Sequence, residues 1–448
     1  MGIPQPRWPF RPQPALEEAQ LVSFRKFTRL FQHNSPSLLV VGQILVSAMG
    51  LLTAPIIAQS LGPSGRGETA AVITAFNLVP ILLAIGIPTV VRRDSALSSV
   101  SASLRTARIL CLVAFLPALG MAFLLHHTAF ATVVGNASVP VIIGLTLTPL
   151  TISWLCDIGV LMARERYRAV FLIKVLFPFL NLSLLVALWV ASSATTATVL
   201  WAAIIAKVVT SLASFVIVRV PLQGEYTPVG PLLRSSWRFA GSSIGEAATN
   251  RLDQILLLPL LGAYQTGIYA VGVTIGTLPL ALAQGMGGAF YGPVARSEGR
   301  KRQRYKGMGI RSGILSAVLS GAALAVASPL IVPLVFGQEF IAALPVIFVC
   351  LVGSVFMCAA FVASSMLAAE GKGWHLTIGQ FASLGVSVGL LYWWGPALMA
   401  PGAAWSSTVG YLVLAVVVCV SLQIPLKGFT PRKSDFANTF NALFRRIK

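Results

Sequence analysis

The chain has 448 residues, of which 56% are hydrophobic and only 10% are charged, with a formal net charge of +20. Soluble domains carry about 25% charged residues, so this composition excludes a soluble globular protein and requires lipid around the apolar surface. The basic residues lie in short segments between hydrophobic runs. That arrangement is typical of membrane orientation and argues against nucleic acid as a partner.

A basic, proline-rich arm (residues 1–36) comes first, and it lacks the features of a cleavable signal peptide. About twelve hydrophobic runs follow, each long enough to cross a hydrocarbon core of ~30 Å. The predicted spans 1 to 12 cover residues 38–58, 68–91, 107–126, 139–162, 170–190, 198–220, 238–262, 267–292, 308–328, 345–369, 375–394 and 401–422. The sequence therefore predicts an all-α integral membrane protein.

Charged segments alternate along the chain in a way that predicts its orientation. The odd-numbered connections together hold one basic residue, Arg66, whereas both ends of the chain and every even-numbered connection are basic. Positively charged loops stay in the cytoplasm, so both termini are predicted to be cytoplasmic. An error of one span would destroy this alternation, which supports the count of twelve.

Both ends of the chain have patterns of interfacial helices. In the basic tail (residues 425–448), Phe436, Phe440 and Phe444 recur at helical spacing beside Arg445 and Arg446. Such a helix lies on the anionic inner leaflet of the bilayer. A weaker version with phenylalanines at three- and four-residue spacing precedes span 1, at Phe24, Phe27 and Phe31.

An internal repeat relates the two halves of the chain. Residues 61–82 align with residues 261–282 without gaps. Both segments begin with Leu-Gly, and both have a glycine five residues after that first glycine. Six spans per repeat return the chain to the same side, so the repeats have parallel topology about an axis along the membrane normal. We therefore predict an N-lobe (37–220), a linker (221–237) and a C-lobe (238–424) with a cavity between the lobes.

Span 7 carries most of the polar residues that lipid would not tolerate. On a helical wheel Ser242, Glu246, Asn250 and Asp253 share one arc, and Arg251 and Gln254 project from another flank. Arg251 lies about 20 Å from the start of its span, which is near the bilayer midplane. Its guanidinium group suits a phosphate or a carboxylate. The alternative is an internal salt bridge to Asp253 or Glu246.

Other spans contribute further candidate binding residues. Lys207 in span 6 is near the midplane, whereas Lys174 in span 5 and Asp157 in span 4 lie near the cytoplasmic ends, where snorkelling also explains them. Asn77 and Gln43 offer neutral hydrogen bonds that also suit helix packing. No phosphate-binding loop and no zinc-type cysteine spacing is present, so no cofactor, metal or catalytic residue is predicted.

Several motifs together resemble one family. They are the Leu-Gly-Pro-Ser-Gly-Arg-Gly segment at 61–67, the Asn-Arg-Leu-Asp segment at 250–253 with Leu-Gly at 261–262, and the Pro-Leu-Val-Phe-Gly-Gln-Glu-Phe segment at 333–340. From about residue 35 to residue 425 the chain resembles polysaccharide flippases of the multidrug/oligosaccharidyl-lipid/polysaccharide exporter superfamily. The resemblance implies two six-helix lobes, alternating access, and export of an isoprenoid-diphosphate-linked oligosaccharide across a bacterial inner membrane. Arg251 and Lys207 would then contact the diphosphate.

Other functions remain open at this point. A cation-coupled multidrug exporter of the same superfamily would use acidic residues such as Glu246, Asp253 and Asp157. A peptidoglycan-precursor flippase usually has two more helices. Glycosyltransferases and glycan ligases carry long exoplasmic loops that this chain lacks, so no enzyme activity is predicted. A non-transporting scaffold of a glycan assembly complex, alongside a polymerase or glycosyltransferases, is the alternative from another class.

Overall fold

The computed structural model describes residues 34, 37–97, 102–133, 135–220 and 223–423. Within these ranges the chain is helical and has no β-strand, which confirms the all-α prediction. The α-helices are α1 (Ser37–Ala84), α2 (Ile87–Leu97), α3 (Ala102–Val113), α4 (Phe115–Thr128), α5 (Ser138–Thr146), α6 (Thr148–Ala163), α7 (Tyr167–Val190), α8 (Thr196–Val218), α9 (Val229–Gly276), α10 (Leu280–Arg296), α11 (Gly299–Ile331), α12 (Leu344–Ala369) and α13 (Gly373–Ser421). The interfacial helices predicted before span 1 and in the tail lie outside the described residues.

Seven of these helices are long and apolar enough to cross a membrane, and two bent pairs raise the number to nine. Helices α1, α9 and α13 have 48, 48 and 49 residues, about 72 Å each if they were straight. Each is interrupted by one residue with non-helical torsion angles: Gly62, Gly262 and Met399. Counting each of the three as two passes gives twelve passes in the part of the chain that the structure describes.

The breaks in α1 and α9 have the same local conformation. Gly62 has φ 66° and ψ −174°, and Gly262 has φ 82° and ψ 172°. Only glycine adopts these torsions readily, which explains why the repeat keeps a glycine at both positions. Beyond the break in α9 the chain folds back on itself. The reversal is shown by a hydrogen bond from the hydroxyl of Tyr269 to the carboxylate of Asp253, sixteen residues earlier.

The break in α13 is made without glycine. Ser383 donates to the carbonyl oxygen of Gly410 at 2.6 Å, so spans 11 and 12 run antiparallel on either side of Met399. Met399 has φ 57° and ψ −138°, in a sparsely populated region for a residue with a side chain. Its side chain is 47% exposed and therefore contributes little to packing.

Replacing Met399 with glycine is expected to stabilise the protein. The substitution removes backbone strain, and the net gain after the entropy cost of glycine is about 1 kcal/mol. Thermal unfolding in detergent measures the effect. Leu398→Gly is the matched control, because Leu398 is also exposed but helical, and there glycine should lower the stability. A Met399→Gly variant that unfolds below the wild-type temperature would contradict the strain argument.

Four spans depart from the continuous helices predicted for them. Span 2 is interrupted by a turn at Ile85 and Gly86, between α1 and α2. Span 3 bends by 44° between α3 and α4, and span 4 bends by 42° between α5 and α6. Pro117 and Pro149 lie three residues or fewer beyond these bends, and neither has the N–H that would continue the hydrogen bonding of the preceding helix across the bend. Span 8 is interrupted before Pro279, between α9 and α10.

The turns between spans lie at two ends of the bundle. The end with the basic even-numbered connections is called the basic face, and the end with Gly62, Gly262 and Met399 is called the hairpin face. One buried apolar cluster near the basic face contains only residues between 84 and 220, and another contains only residues between 283 and 422. Nearer the hairpin face, two further clusters mix residues of the two halves, and one of them contains both Ala54 and Leu257. The halves are therefore joined mainly near the hairpin face.

Candidate functional site

A cavity of about 530 Å³ lies between the two lobes, in the half of the molecule toward the basic face. Spans 2 and 4 of the N-lobe and spans 7, 8, 10 and 12 of the C-lobe form its wall. The lining residues are Ile81, Ala84, Gly86, Pro88, Thr89 and Leu155 from the N-lobe, and Ser243, Glu246, Ala247, Asn250, Arg251, Thr277, Leu280, Gln284, Met357, Phe361 and Tyr411 from the C-lobe. None of the six N-lobe residues is ionisable, so the charges of the cavity come from the C-lobe.

Toward the hairpin face the cavity ends where spans 2 and 8 cross. A Cβ atom at Gly67 would lie 1.9 Å from the carbonyl oxygen of Ala263, and one at Gly267 would lie 1.8 Å from that of Pro63. Neither distance is possible, so the two backbones touch only because both residues are glycine. The two glycines occupy matching positions of the internal repeat, and their contact forms a seal between the lobes.

Three hydrogen bonds between the lobes accompany this contact. Thr74 donates to the side-chain oxygen of Gln254 at 2.7 Å, and Arg66 donates to the hydroxyl of Thr274 at 3.4 Å. Gln59 donates to the carbonyl oxygen of Val335 at 2.8 Å. Thr74 and Thr274 are equivalent in the repeat, so each lobe contributes the same position to the seal. These side chains must exchange partners if the lobes separate at the hairpin face.

The lobes also approach each other beside the cavity near the basic face. A Cβ atom at Gly86 would lie 2.5 Å from the carbonyl oxygen of Ser236. Gly86 has φ +78°, which favours glycine, and it is the second residue of the two-residue turn from α1 into α2. The end of span 2 therefore contacts the start of span 7, and this contact closes that side of the cavity.

Three of the predicted binding residues come together in the cavity: Glu246, Asn250 and Arg251. All three are exposed to the cavity, and none forms a hydrogen bond or an ion pair with another described residue. The guanidinium group of Arg251 is therefore free to bind a ligand through its fork of N–H donors. The carboxylate of Glu246 and the amide of Asn250 add an acceptor and a mixed donor and acceptor.

Asp253 does not share this position, although the helical wheel grouped it with Glu246 and Asn250. Its carboxylate is buried and accepts hydrogen bonds from Tyr269, from Ser407 at 3.0 Å and from the backbone N–H of Gln254 at 2.8 Å. Asp253 lies one turn beyond Asn250, where spans 8 and 12 cover span 7. Its partners among the described residues are hydroxyls and a backbone amide, and the salt bridge between Arg251 and Asp253 is absent there.

Lys207 does not line the interlobe cavity, and its side chain donates a hydrogen bond to the backbone of span 2. Its ammonium group donates to the carbonyl oxygen of Phe76 and lies 5.8 Å from the centre of the Phe76 ring. Helical geometry would pair this carbonyl with the N–H of residue 80, but residue 80 is a proline and has no N–H. Lys207 thus supplies the donor that Pro80 removes. Its depth in the span, which suggested a substrate contact, has this structural explanation.

Asp157 is fully buried and belongs to an ion pair inside the N-lobe. Arg108 lies 3.0 Å from one carboxylate oxygen, and Ser214 donates to the other at 2.8 Å. Arg108 also donates to the carbonyl oxygen of Val220 and stacks 4.1 Å from the ring of Phe215. This burial corrects the snorkelling explanation of Asp157. The remaining candidates, Lys174, Asn77 and Gln43, do not line the interlobe cavity.

The Asp157–Arg108 pair is expected to stabilise the N-lobe strongly. Asp157→Ala leaves a buried guanidinium without its counter-charge, which costs about 3–5 kcal/mol. Replacing both residues by leucine should recover most of the loss, because no unpaired charge remains. Thermal unfolding in detergent measures both variants. Asp94→Asn is the control, since the exposed pair Arg93–Asp94 should contribute less than about 1 kcal/mol. Similar effects of Asp157→Ala and Asp94→Asn would contradict this assignment.

Several lining residues carry no strong signal in the sequence. Tyr411, Gln284 and Thr277 come from the middle of apolar spans, and Thr89 comes from the end of span 2. Gln284 was detectable as an amide within a hydrophobic run, which usually faces other helices and not lipid. Tyr411 was not detectable from the sequence, because a single tyrosine in a membrane span is common. No cluster of metal-binding side chains occurs among the residues described by the structure.

Solved structures of transporters share this fold. A lipid II flippase, MurJ, in an inward closed conformation matches with a TM-score of 0.70 at 11% identity, covering 90% of this chain and 91% of that chain. An inward-facing multidrug resistance MATE family transporter of the MOP superfamily matches with a TM-score of 0.64 at 16% identity, covering 85% and 94%. Its outward-facing conformation gives a TM-score of 0.62 at 16% identity, covering 86% and 94%. At these identities the likeness establishes the fold alone.

The sequence itself identifies the family. The family model described as polysaccharide biosynthesis protein matches residues 35–295, more than half of the chain. The chain therefore belongs to the polysaccharide biosynthesis protein family, as its motifs predicted. No curated protein matches it.

Proposed function

We propose that this member of the polysaccharide biosynthesis family is a flippase for an isoprenoid-diphosphate-linked oligosaccharide. It would carry the substrate from the inner to the outer leaflet of a bacterial inner membrane, with both termini in the cytoplasm. The observation that carries the proposal is Arg251, an arginine in an interlobe cavity with no partner among the described residues. Keeping an unpaired guanidinium at this depth is costly, and an anionic ligand would offset the cost.

Arg251 would bind the diphosphate, and its neighbours would bind the sugars. A guanidinium fork donates two parallel hydrogen bonds to phosphate oxygens. Glu246, Asn250 and Gln284 can accept from or donate to sugar hydroxyls, and Phe361 and Tyr411 offer aromatic faces. A cavity of about 530 Å³ has the size of a typical small-ligand site, so it suits the diphosphate and the first sugars. A longer glycan would extend toward the basic face.

Transport would occur as the protein alternates between a state closed at the hairpin face and a state closed at the basic face. The seal at Gly67 and Gly267 closes the hairpin face while the cavity receives the substrate near the basic face. Rocking of the lobes would break this seal and expose Arg251 toward the hairpin face. No covalent chemistry is required, since the substrate leaves as it entered. The MurJ structure supports a lipid-linked substrate, because that neighbour is a lipid II flippase.

A cation-coupled multidrug exporter is the second candidate, and one observation favours it. Glu246 exposes a carboxylate in the same cavity, and MATE transporters share the fold. Against it, Arg251 lies in the cavity and would repel a cationic drug. The other two acids considered for this role, Asp253 and Asp157, are already hydrogen-bonded inside their lobes. A scaffold without transport activity, bound to a glycan polymerase or to glycosyltransferases, would have no need of the cavity.

Reconstitution separates the three functions. The purified chain is placed in liposomes that carry a fluorescent, diphosphate-linked oligosaccharide lipid, and an impermeant reagent reports the fraction in the outer leaflet. A flippase should accelerate its movement between leaflets, whereas a scaffold should leave the rate at that of empty liposomes. A parallel assay with a cationic dye and a pH or sodium gradient tests the exporter. Dye transport without lipid movement would overturn the proposed function.

A further inference from the structure

A second large cavity lies on the basic face of the C-lobe and shares no residue with the interlobe cavity. Its volume is about 590 Å³. It forms where α11 begins, where α12 ends, and where α13 begins and ends. The lining residues are Gly299, Arg300, Arg302, Gln303, Lys306, Glu370, Lys372 and Gln423. Four of these eight residues are cationic and one is acidic.

Buried contacts hold the base of this cavity together. Lys306 is 4% exposed, pairs with the carboxylate of Glu370 and donates to the carbonyl oxygen of Leu422 at 3.0 Å. The ammonium group of Lys372 lies 2.9 Å from the other carboxylate oxygen of Glu370. Gln303 donates to the carbonyl oxygen of Gln423 at 3.3 Å. The base therefore ties together the basic-face ends of spans 9, 10 and 12.

The carboxylate of Glu370 is already neutralised by its two lysines. Although partial burial disfavours the charged form, the hydrogen bonds from Lys306 and Lys372 hold the pKa of Glu370 below its ordinary value, so the group stays ionised at neutral pH. Arg302 donates through Nε to the carbonyl oxygen of Ser297 at 2.6 Å. Arg300 has no hydrogen bond or ion pair with a described residue. The cavity keeps a net charge of +3 that its own walls leave uncompensated.

We propose that this cavity binds a phosphate-bearing anion between Arg300, Arg302 and Lys372. The two guanidinium groups suit phosphate oxygens through paired donors, and the lysine adds a compact positive charge. The volume is that of a typical small-ligand pocket. Binding would relieve the repulsion among four cations that face one space. The buried pair of Lys306 and Glu370 gives the site a fixed base, which distinguishes it from a solvated run of charges.

The position of the cavity makes it accessible to phosphate groups from two sources. Because it lies at the ends of four membrane spans, 9 to 12, it is level with lipid headgroups, so the phosphodiester of an anionic phospholipid can reach it. A soluble phosphate compound can reach it from the aqueous side. The chemistry is shared, and the proposal concerns a site outside the interlobe cavity, so it does not depend on the flippase activity.

Binding to the purified full-length chain in detergent tests the proposal. The probes are short-chain phosphatidylglycerol, short-chain phosphatidylcholine and inorganic pyrophosphate, with affinity measured by titration calorimetry. The double variant Arg300→Gln/Lys372→Gln should weaken binding of the anionic probe at least about tenfold. The control double variant Lys301→Gln/Arg304→Gln removes the same charge from the same face at exposed positions that do not line the cavity, and should bind like the wild type.

Each outcome decides the question. Preference for phosphatidylglycerol over phosphatidylcholine, lost only in the cavity variant, supports a lipid headgroup as ligand. Pyrophosphate binding that is lost in the same variant, without a preference between the lipids, supports a soluble phosphate. If both double variants lose the same amount of binding affinity, the anion is attracted by the overall charge of the basic face, and the proposed site is wrong. Absence of binding by every anionic probe would overturn it as well.

Discussion

Arg251→Ala is expected to lower the rate of lipid-linked glycan flipping at least about a hundredfold while the protein level in the membrane stays unchanged. Two charge-assisted hydrogen bonds to a phosphate contribute ~1.5–3 kcal/mol each, and the alanine removes both. Stability should not fall, since Arg251 has no described partner to leave unsatisfied. Surface glycan and membrane abundance are measured together in the same cells.

Two further variants distinguish a substrate contact from a structural role. Arg251→Lys keeps the charge but loses the fork, so it should retain part of the activity. Arg234→Ala removes an exposed arginine from the same helix, outside the cavity, and should flip at the wild-type rate. Neutralising Asp253 together with Arg251 should not restore flipping, because the two residues are not paired. Full recovery in that double variant would refute the substrate role.

Gly267→Ala is expected to shift the protein toward a state that is open at the hairpin face and to reduce flipping severely. The added Cβ would have to occupy the space of the Pro63 carbonyl oxygen, so spans 2 and 8 must separate. The protein can then no longer adopt the conformation that is closed at the hairpin face, and the transport cycle loses one of its two end states. Gly67→Ala should act in the same way, because its Cβ would meet the carbonyl oxygen of Ala263.

Labelling of a cysteine placed at Thr274 measures this opening. With the native cysteines replaced, an impermeant maleimide added from the hairpin side should react faster in Gly267→Ala than in the parent. Gly389→Ala is the matched control, because a Cβ at Gly389 meets no atom within 4 Å. Unchanged labelling and unchanged flipping in Gly267→Ala would show that the crossing of spans 2 and 8 is not the seal.

Patterns of hydrophobicity and charge predicted the fold because they act over whole spans. The twelve passes, the hairpins and the matching glycines follow from run length and from the repeat at 61–67 and 261–267. Bends are local, and they depend on how neighbours respond to a lost backbone donor. The sequence therefore placed Pro149 in span 4 without predicting the bend beside it.

The candidate site was predicted only in part, for a similar reason. A helical wheel gives the direction in which a side chain points. It does not show at which positions along the helix a neighbouring helix covers that face. Glu246 and Asn250 face the cavity, whereas Asp253 lies past the end of the cavity and binds Tyr269 and Ser407. Depth alone suggested Lys207, and only the structure shows Phe76 and Pro80 beside it. Most N-lobe lining residues are small or apolar and give no signal in a sequence.

The bond between Lys207 and the carbonyl oxygen of Phe76 also constrains which parts of the molecule can flex. A proline normally makes a helix compliant, because one rung of its hydrogen-bond ladder is missing. At Pro80 the missing rung is replaced by a side chain from span 6, so bending span 2 there would strand an ammonium group within the membrane at a cost of ~2.5–3.5 kcal/mol or more. We therefore expect the part of span 2 around Pro80 to move together with span 6. Bending of the helices that line the cavity is then expected at the helix interruptions, at Ile85 and Gly86 in span 2 and before Pro279 in span 8.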